Sequence, residues 1–165
     1  MKKLIYTLLL ILAITNNSFA AGSSGDNDGG SVAKVSNYAK AKNLIKAAKK
    51  YEKKGKTEKA KKRYTKAQKL LLKSNEKKPL QADTLNYLGF TTRKLGDYDG
   101  GEKFYLQGLQ IEPNHNGINE YLGELYVATN RMDMAKERLE VLKTCNCEEY
   151  DELKEIVEGT KKSKY

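Results

Sequence analysis

The chain has 165 residues, 39% hydrophobic and 32% charged, with a formal net charge of +10, one histidine and two cysteines. One histidine leaves conventional Ser-His and Cys-His catalytic arrangements unsupported, and the carboxylates cluster on helix faces with no isolated apolar pocket, so the composition argues against an enzyme. Nucleic acid is the usual partner of so basic a chain, but no recognition motif or aromatic interleaving accompanies the lysines.

The first element is a targeting segment. Lys2-Lys3 precedes the apolar run Leu4 to Ile14, then polar Thr15-Asn16-Asn17 and the small-x-small site Ser18-Phe19-Ala20. This pattern predicts a secretory signal peptide over 1–20, since the run is about half the roughly 20 residues that span a bilayer. The chain is therefore expected in the periplasm or otherwise exported, soluble after cleavage. No cysteine stands directly after the cleavage site, where Ala21 is found, which argues against a lipid anchor. Residues 21–33, rich in Gly, Ser and Asp, are expected to be a disordered spacer, and 34–161 the folded domain.

Charge divides the folded part. Residues 31–80 hold 18 Lys or Arg against 3 Glu, whereas 81–158 hold 8 basic against 16 acidic residues. The basic third suits an acidic protein or an anionic lipid surface, while the bland reading is a solvated lysine face in a compositionally biased chain. Head-to-tail pairing of the basic end of one molecule with the acidic end of another is a further use.

Helical elements follow in pairs. Leu88-Gly89 recurs 34 positions later as Leu122-Gly123, Tyr87 as Tyr121, Gly101 as Ala135, Tyr105 as Leu139 and Gly108 as Leu142. A period of 34 implies stacked helix pairs. An upstream copy is set back 41 residues, from Gly55 to Gly96, Ala60 to Gly101 and Tyr64 to Tyr105. The seven extra residues, about two helical turns, fall between Leu70 and Pro79 and predict a longer second helix leaving at Ser74-Asn75. The units are placed at 41–74, 82–115 and 116–149.

Punctuation agrees with these units. Gly55 and Gly96 suit left-handed helix ends, Asp97 a cap for the next helix, Pro79 a first helical turn, and Asn116 a cap for the third unit. Tyr150, Leu153, Ile156 and Val157 share one helical face, with acidic residues in the first turn. They predict a capping helix over 148–159, needed because an end repeat has no neighbour to cover its apolar side.

These residues resemble the tetratricopeptide repeat (TPR). The middle unit carries Leu85, Leu88-Gly89, Gly96-Asp97-Tyr98, Gly101, Tyr105, Gly108, Ile111 and Pro113-Asn114, with Thr92 where the family usually has Tyr and Leu85 where it often has Trp. The third unit keeps Leu122-Gly123, Tyr126 and Ala135 but has Asn119 for the first large residue and Cys147 in the place of Pro. The first keeps Leu44, Tyr51, Gly55, Ala60, Tyr64 and Ala67, with Ala47-Ala48 for Leu-Gly. The resemblance implies an all-α, right-handed solenoid of about three helical hairpins plus the cap. Gly89, Gly101, Gly123 and Ala135 would then mark helix crossings where a longer side chain would force the axes apart.

It also implies that the first helices line a concave peptide groove. The residues so placed are Ile45, Lys49, Glu52, Asp83, Asn86, Phe90, Arg93, Lys94, Glu120, Glu124 and Val127. Phe90 beside Arg93 and Lys94 could take an apolar side chain next to a carboxylate, or Phe90 could pack between repeats. On the groove reading, Phe90→Ala and Arg93→Ala weaken a partner without unfolding the domain. The family's clamp for C-terminal carboxylates uses paired asparagines. Tyr87 and Phe90 stand in those places here, so no chaperone-type C-terminal Asp motif is expected to bind.

Cys145 and Cys147 are spaced C-x-C in a chain expected to reach an oxidising compartment. A local disulfide fixing the turn into the capping helix, two free or separately paired thiols, and redox or metal work all stay open. Glu148 and Glu149 beside the pair would raise the thiol pKa values and argue against a reactive thiolate. His115 lies at a turn between units, and with the two cysteines it offers at most three ligands for a soft metal. The expectation is an exported scaffold or adaptor that binds a protein or peptide without catalysis or cofactor. The alternatives are a thiol or metal handling accessory protein and an electrostatic binder acting through the Lys-rich first repeat.

Overall fold

The computed structural model describes residues 35–163. The expected signal peptide (1–20) and spacer (21–33) lie outside the described residues. These form seven α-helices: α1 (Asn37–Glu52), α2 (Thr57–Lys77), α3 (Ala82–Lys94), α4 (Tyr98–Ile111), α5 (Asn116–Ala128), α6 (Met132–Leu142) and α7 (Glu148–Val157). No strand occurs among the described residues. Helices pair as α1–α2, α3–α4 and α5–α6, the hairpins stack in series, and α7 packs on α5 and α6.

Local chemistry sets the boundaries. Ser36 accepts from the Ala39 N–H through its hydroxyl and starts α1. That helix begins at Asn37, four residues ahead of the unit boundary read from the repeat spacing. Gly55 and Gly96 take positive φ, 66° and 98°, at the turns that close the first helices of hairpins one and two. Cβ-free residues adopt this conformation without strain. Asp97 caps α4, its Oδ1 accepting from the Gly100 N–H at 2.8 Å.

Three punctuation marks fall elsewhere than expected. α2 runs to Lys77, so Ser74-Asn75 lies inside it. The helix ends because Pro79 crowds the residue before it out of the helical region; Lys78 sits at φ −138°, ψ 85°. Pro79 belongs to this exit and not to the first turn of α3, which opens at Ala82 after Leu80 takes φ 57°. The cap of α5 is His115, whose Nδ1 accepts from the Ile118 N–H at 3.2 Å, which makes Asn116 the first helical residue.

The core follows the apolar spacing. Ala60, Tyr64, Ala67 and Leu71 bury one face of α2 against Ala41, Ile45 and Ala48 of α1, and Leu85, Leu88 and Phe90 of α3 continue this cluster. A second cluster joins Ala82 and Tyr105 to Ile118, Leu122, Leu125, Tyr126 and Ala135. Gly89 admits the Tyr105 ring, since a Cβ there would come within 2.5 Å of Tyr105 Cε1, and Gly101 lies over the Gly89 carbonyl. Gly123 marks a crossing with a different helix from the one its place in the repeat suggests. Its open side receives Leu153 of α7, and a Cβ would meet Leu153 Cδ2 at 2.5 Å.

Two substitutions from the family pattern have local explanations. Thr92 receives a hydrogen bond from Gln68 Nε2 at 2.8 Å, joining α3 to α2. Asn119 is fully buried and ties down the turn before α5, its Nδ2 donating to the Pro113 and His115 carbonyls at 3.0 and 3.1 Å. Cys145 and Cys147 form a disulfide across Asn146, which sits at φ 48° between α6 and α7.

Candidate functional site

The inner face of the first helices carries a cavity of about 690 Å³. Lys49, Glu52, Lys53 and Thr57 of the first hairpin form one side, and Phe90, Lys94 and Tyr121 the floor. Glu120 and Glu124 of α5 with Glu148, Glu149 and Glu152 of α7 form the other side. The sides differ in charge because the Lys-rich first repeat and the acidic end of the chain bend toward the same space.

The floor is anchored from below. Phe90, only 2% exposed, lies edge-on to Tyr64 at 5.8 Å and tilted on Tyr121 at 5.1 Å between ring centroids. Lys49 Nζ sits 4.6 Å above the Phe90 ring and donates to the Tyr121 hydroxyl at 3.2 Å. Glu52 joins three helices: it accepts from the Tyr64 hydroxyl at 2.8 Å and pairs with Lys94 Nζ at 2.7 Å.

Arg93 lies under the floor, 2% exposed. Its guanidinium donates to the Tyr121 carbonyl at 2.6 Å and pairs with Glu124 at 3.3 Å, which joins α3 to α5. This corrects the expectation that Arg93 faces a ligand. A charge so enclosed, whose partners lie within the protein, holds repeats together, and removing it leaves Glu124 buried and uncompensated. Phe90 packs between repeats against Tyr64 and Tyr121, and it also lines the cavity.

The remaining groove candidates separate. Lys49, Glu52, Lys94, Glu120 and Glu124 line the cavity with Phe90. Asp83 and Asn86 line a neighbouring depression of about 360 Å³ together with His115, whose Nε2 lies 3.3 Å from Asp83 Oδ1. Since Nδ1 accepts the Ile118 N–H, the proton belongs on Nε2 and is donated to Asp83. Ile45 does not reach the groove: it shares the buried face of α1 with Ala41 and Ala48. Val127 packs against the third hairpin's core. Tyr121, Lys53, Thr57 and the three α7 glutamates were missed. The analogy stops at the first helices of the repeats, and only the acidic first turn of α7 hinted at more.

Glu120 has the most perturbed acid here. It is 7% exposed, and burial, with Glu124, Glu152 and Glu149 adding like charge, pushes its carboxyl up to about 8 against an opposing effect of Lys49. Oxygens of Glu120, Glu124 and Glu152 lie within 4.8 Å of one another. The two cysteines are both consumed by their disulfide, so neither thiol is available to ligate a soft metal with His115.

Residues 82–115, the middle hairpin with its flanking turns, match the family model described as tetratricopeptide repeat. The chain carries a tetratricopeptide repeat. The translocator chaperone SycD of the type III secretion system of Yersinia enterocolitica has the same architecture, with TM-score 0.52 and 19% identity over 82% of this chain and 91% of that chain. The first TPR domain of human RPAP3 aligns with TM-score 0.47 and 21% identity, over 76% of this chain and 98% of that one. The Arabidopsis OM64 TPR domain gives TM-score 0.47 and 13% identity, over 76% and 99%. Comparison with curated proteins returns no significant match. The chain is an all-α hairpin solenoid with a capping helix, and its cavity is lined by the first helices of the hairpins together with the cap. No helix among the described residues is long and apolar enough to cross a membrane.

Proposed function

We propose that this TPR protein is an exported adaptor that holds a peptide segment of a partner protein in the concave cavity. The carrying observation is the cavity itself: an aromatic floor, Phe90 and Tyr121, between a lysine side and a glutamate side. An apolar floor with a few placed charges is the usual make-up of a peptide site. Export rests on the Lys2-Lys3, Leu4 to Ile14 and Ala20 pattern. Solved TPR relatives that bind peptides or proteins, among them an RPAP3 domain bound to an HSP90 peptide and a Scc3 complex with CopN, are consistent with a protein partner. The assignment is binding without catalysis, and the cysteine pair is a lock on the α6–α7 turn.

The test is selection of peptides from a random display library on the chain lacking its first 20 residues. Recovered peptides should compete with one another and lose binding when the exposed rim residues are changed by Lys53→Trp and Thr57→Trp, which fill the mouth without touching the core. Peptides indifferent to both changes would place binding off the concave face. Binding that vanishes at high salt and follows the lysines of α2 would favour the electrostatic reading.

A further inference from the structure

The glutamate side of the cavity contains one buried carboxyl that is paired with no cationic side chain of the fold. Glu124 is matched by Arg93 at 3.3 Å, and Glu152 by Lys161 at 3.5 Å. Glu120 stands between them, 93% buried, and takes part in no hydrogen bond or ion pair among the described residues. Burial of a carboxylate without a partner is costly, and folds keep such groups where a ligand completes them. Its oxygens lie within 4.8 Å of those of Glu124 and Glu152, and the residue lines the cavity.

In the free protein Glu120 keeps its proton at neutral pH, and one cationic group would displace it, which sets the chemistry of the occupant. Glu124 is held by Arg93, and Glu152 shares Lys161 with Glu155, so of the three carboxyls Glu120 is the one with no ion pair among the described residues. The approach runs beside Phe90 and Tyr121, whose rings give an apolar wall for a methylene stem. A monovalent organic cation on a long apolar stem fits both. On the opposite side Lys94 is committed to Glu52, and Lys49 lies over Phe90.

We infer that Glu120, flanked by Glu124 and Glu152, is a socket for a lysine or arginine side chain of the bound peptide. The inference rests on the groove reading above and adds the class of residue that the partner must present.

The experiment uses the selected peptides with the wild-type chain and Glu120→Gln. The expected result is a Lys or Arg at one recurring position. Replacing it with norleucine should weaken binding to wild type about tenfold and leave binding to Glu120→Gln within about twofold, as one charge-assisted contact predicts. A melting temperature at or above that of wild type establishes that Glu120→Gln is folded. Peptides that are blocked by the rim tryptophans yet carry no recurring basic residue, or that lose equally on both proteins, would overturn the socket and leave the groove standing. No rim-sensitive peptide at all would remove both. Calcium or magnesium alone binding wild type but not Glu120→Gln would overturn it in favour of a metal site. Self-association at low salt that Glu120→Gln abolishes would make the occupant a second copy.

Discussion

Arg93 and Glu120 are 27 positions apart, and both are charged residues with almost no exposure, yet their consequences are opposite. Arg93 has its partners inside the protein, so Arg93→Ala should destabilise by about 3–5 kcal/mol, whereas exposed Lys53→Ala should stay within about 0.5 kcal/mol. Urea unfolding of the two variants makes the comparison. Glu120 acts through its proton. As pH rises from about 4.5 to about 8, the unfolded chain releases a proton that the folded chain keeps, so stability falls across that window. Glu120→Gln removes this loss. Its stability relative to wild type should be nearly unchanged near pH 5 and should rise by on the order of 3 kcal/mol at pH 9. A pH-independent difference in thermal melts would contradict the assignment of that proton. Neither role was legible in the sequence. Arg93 is identified by Glu124, 31 residues away, and by the Tyr121 carbonyl, and spacing within one repeat carries no information about either.

Element boundaries were far more legible, because capping and turn chemistry are local. Gly96-Asp97 announced the α3–α4 turn correctly, and the small residues at Gly89 and Gly101 marked a real helix crossing. The misplacements share one cause. Pro79 and Asn116 were placed by residue type alone: Pro79 ends α2 through its effect on Lys78, and His115, whose ring nitrogen reaches the Ile118 N–H, takes the cap from Asn116. Gly123 had the right type and the wrong neighbour, since the end of the array substitutes Leu153 of the cap for a side chain of the repeat. The Gly89 crossing gives a sharp prediction at this scale. On helix propensity alone Gly89→Ala should stabilise by up to about 1 kcal/mol. The rigid Tyr105 ring would meet the new methyl, so the variant should instead lose about 1–3 kcal/mol in calorimetric or urea unfolding.

At the scale of the whole molecule, the 34-residue period made the hairpin stack readable, because each repeat must reuse the same small and aromatic positions to meet its neighbour. The lining of the cavity was half readable. Residues of the first helices such as Lys49, Phe90 and Glu124 follow from the repeat, but the α7 side comes from a helix that the repeat does not describe. The result is a cavity that brings the basic beginning and the acidic end of the folded domain to face each other. Charge separated in this way suits a peptide of defined polarity, which is why the proposed site is the cavity and not the exposed lysines of α2.

That claim is tested most directly by mapping a selected peptide onto the 15N-labelled protein by chemical-shift perturbation. The account predicts the largest shifts at Phe90, Glu120, Tyr121 and Glu149, with α2, α4 and α6 nearly silent on their outer faces. Shifts confined to the lysines of α2, with Phe90 and Tyr121 unmoved, would contradict it.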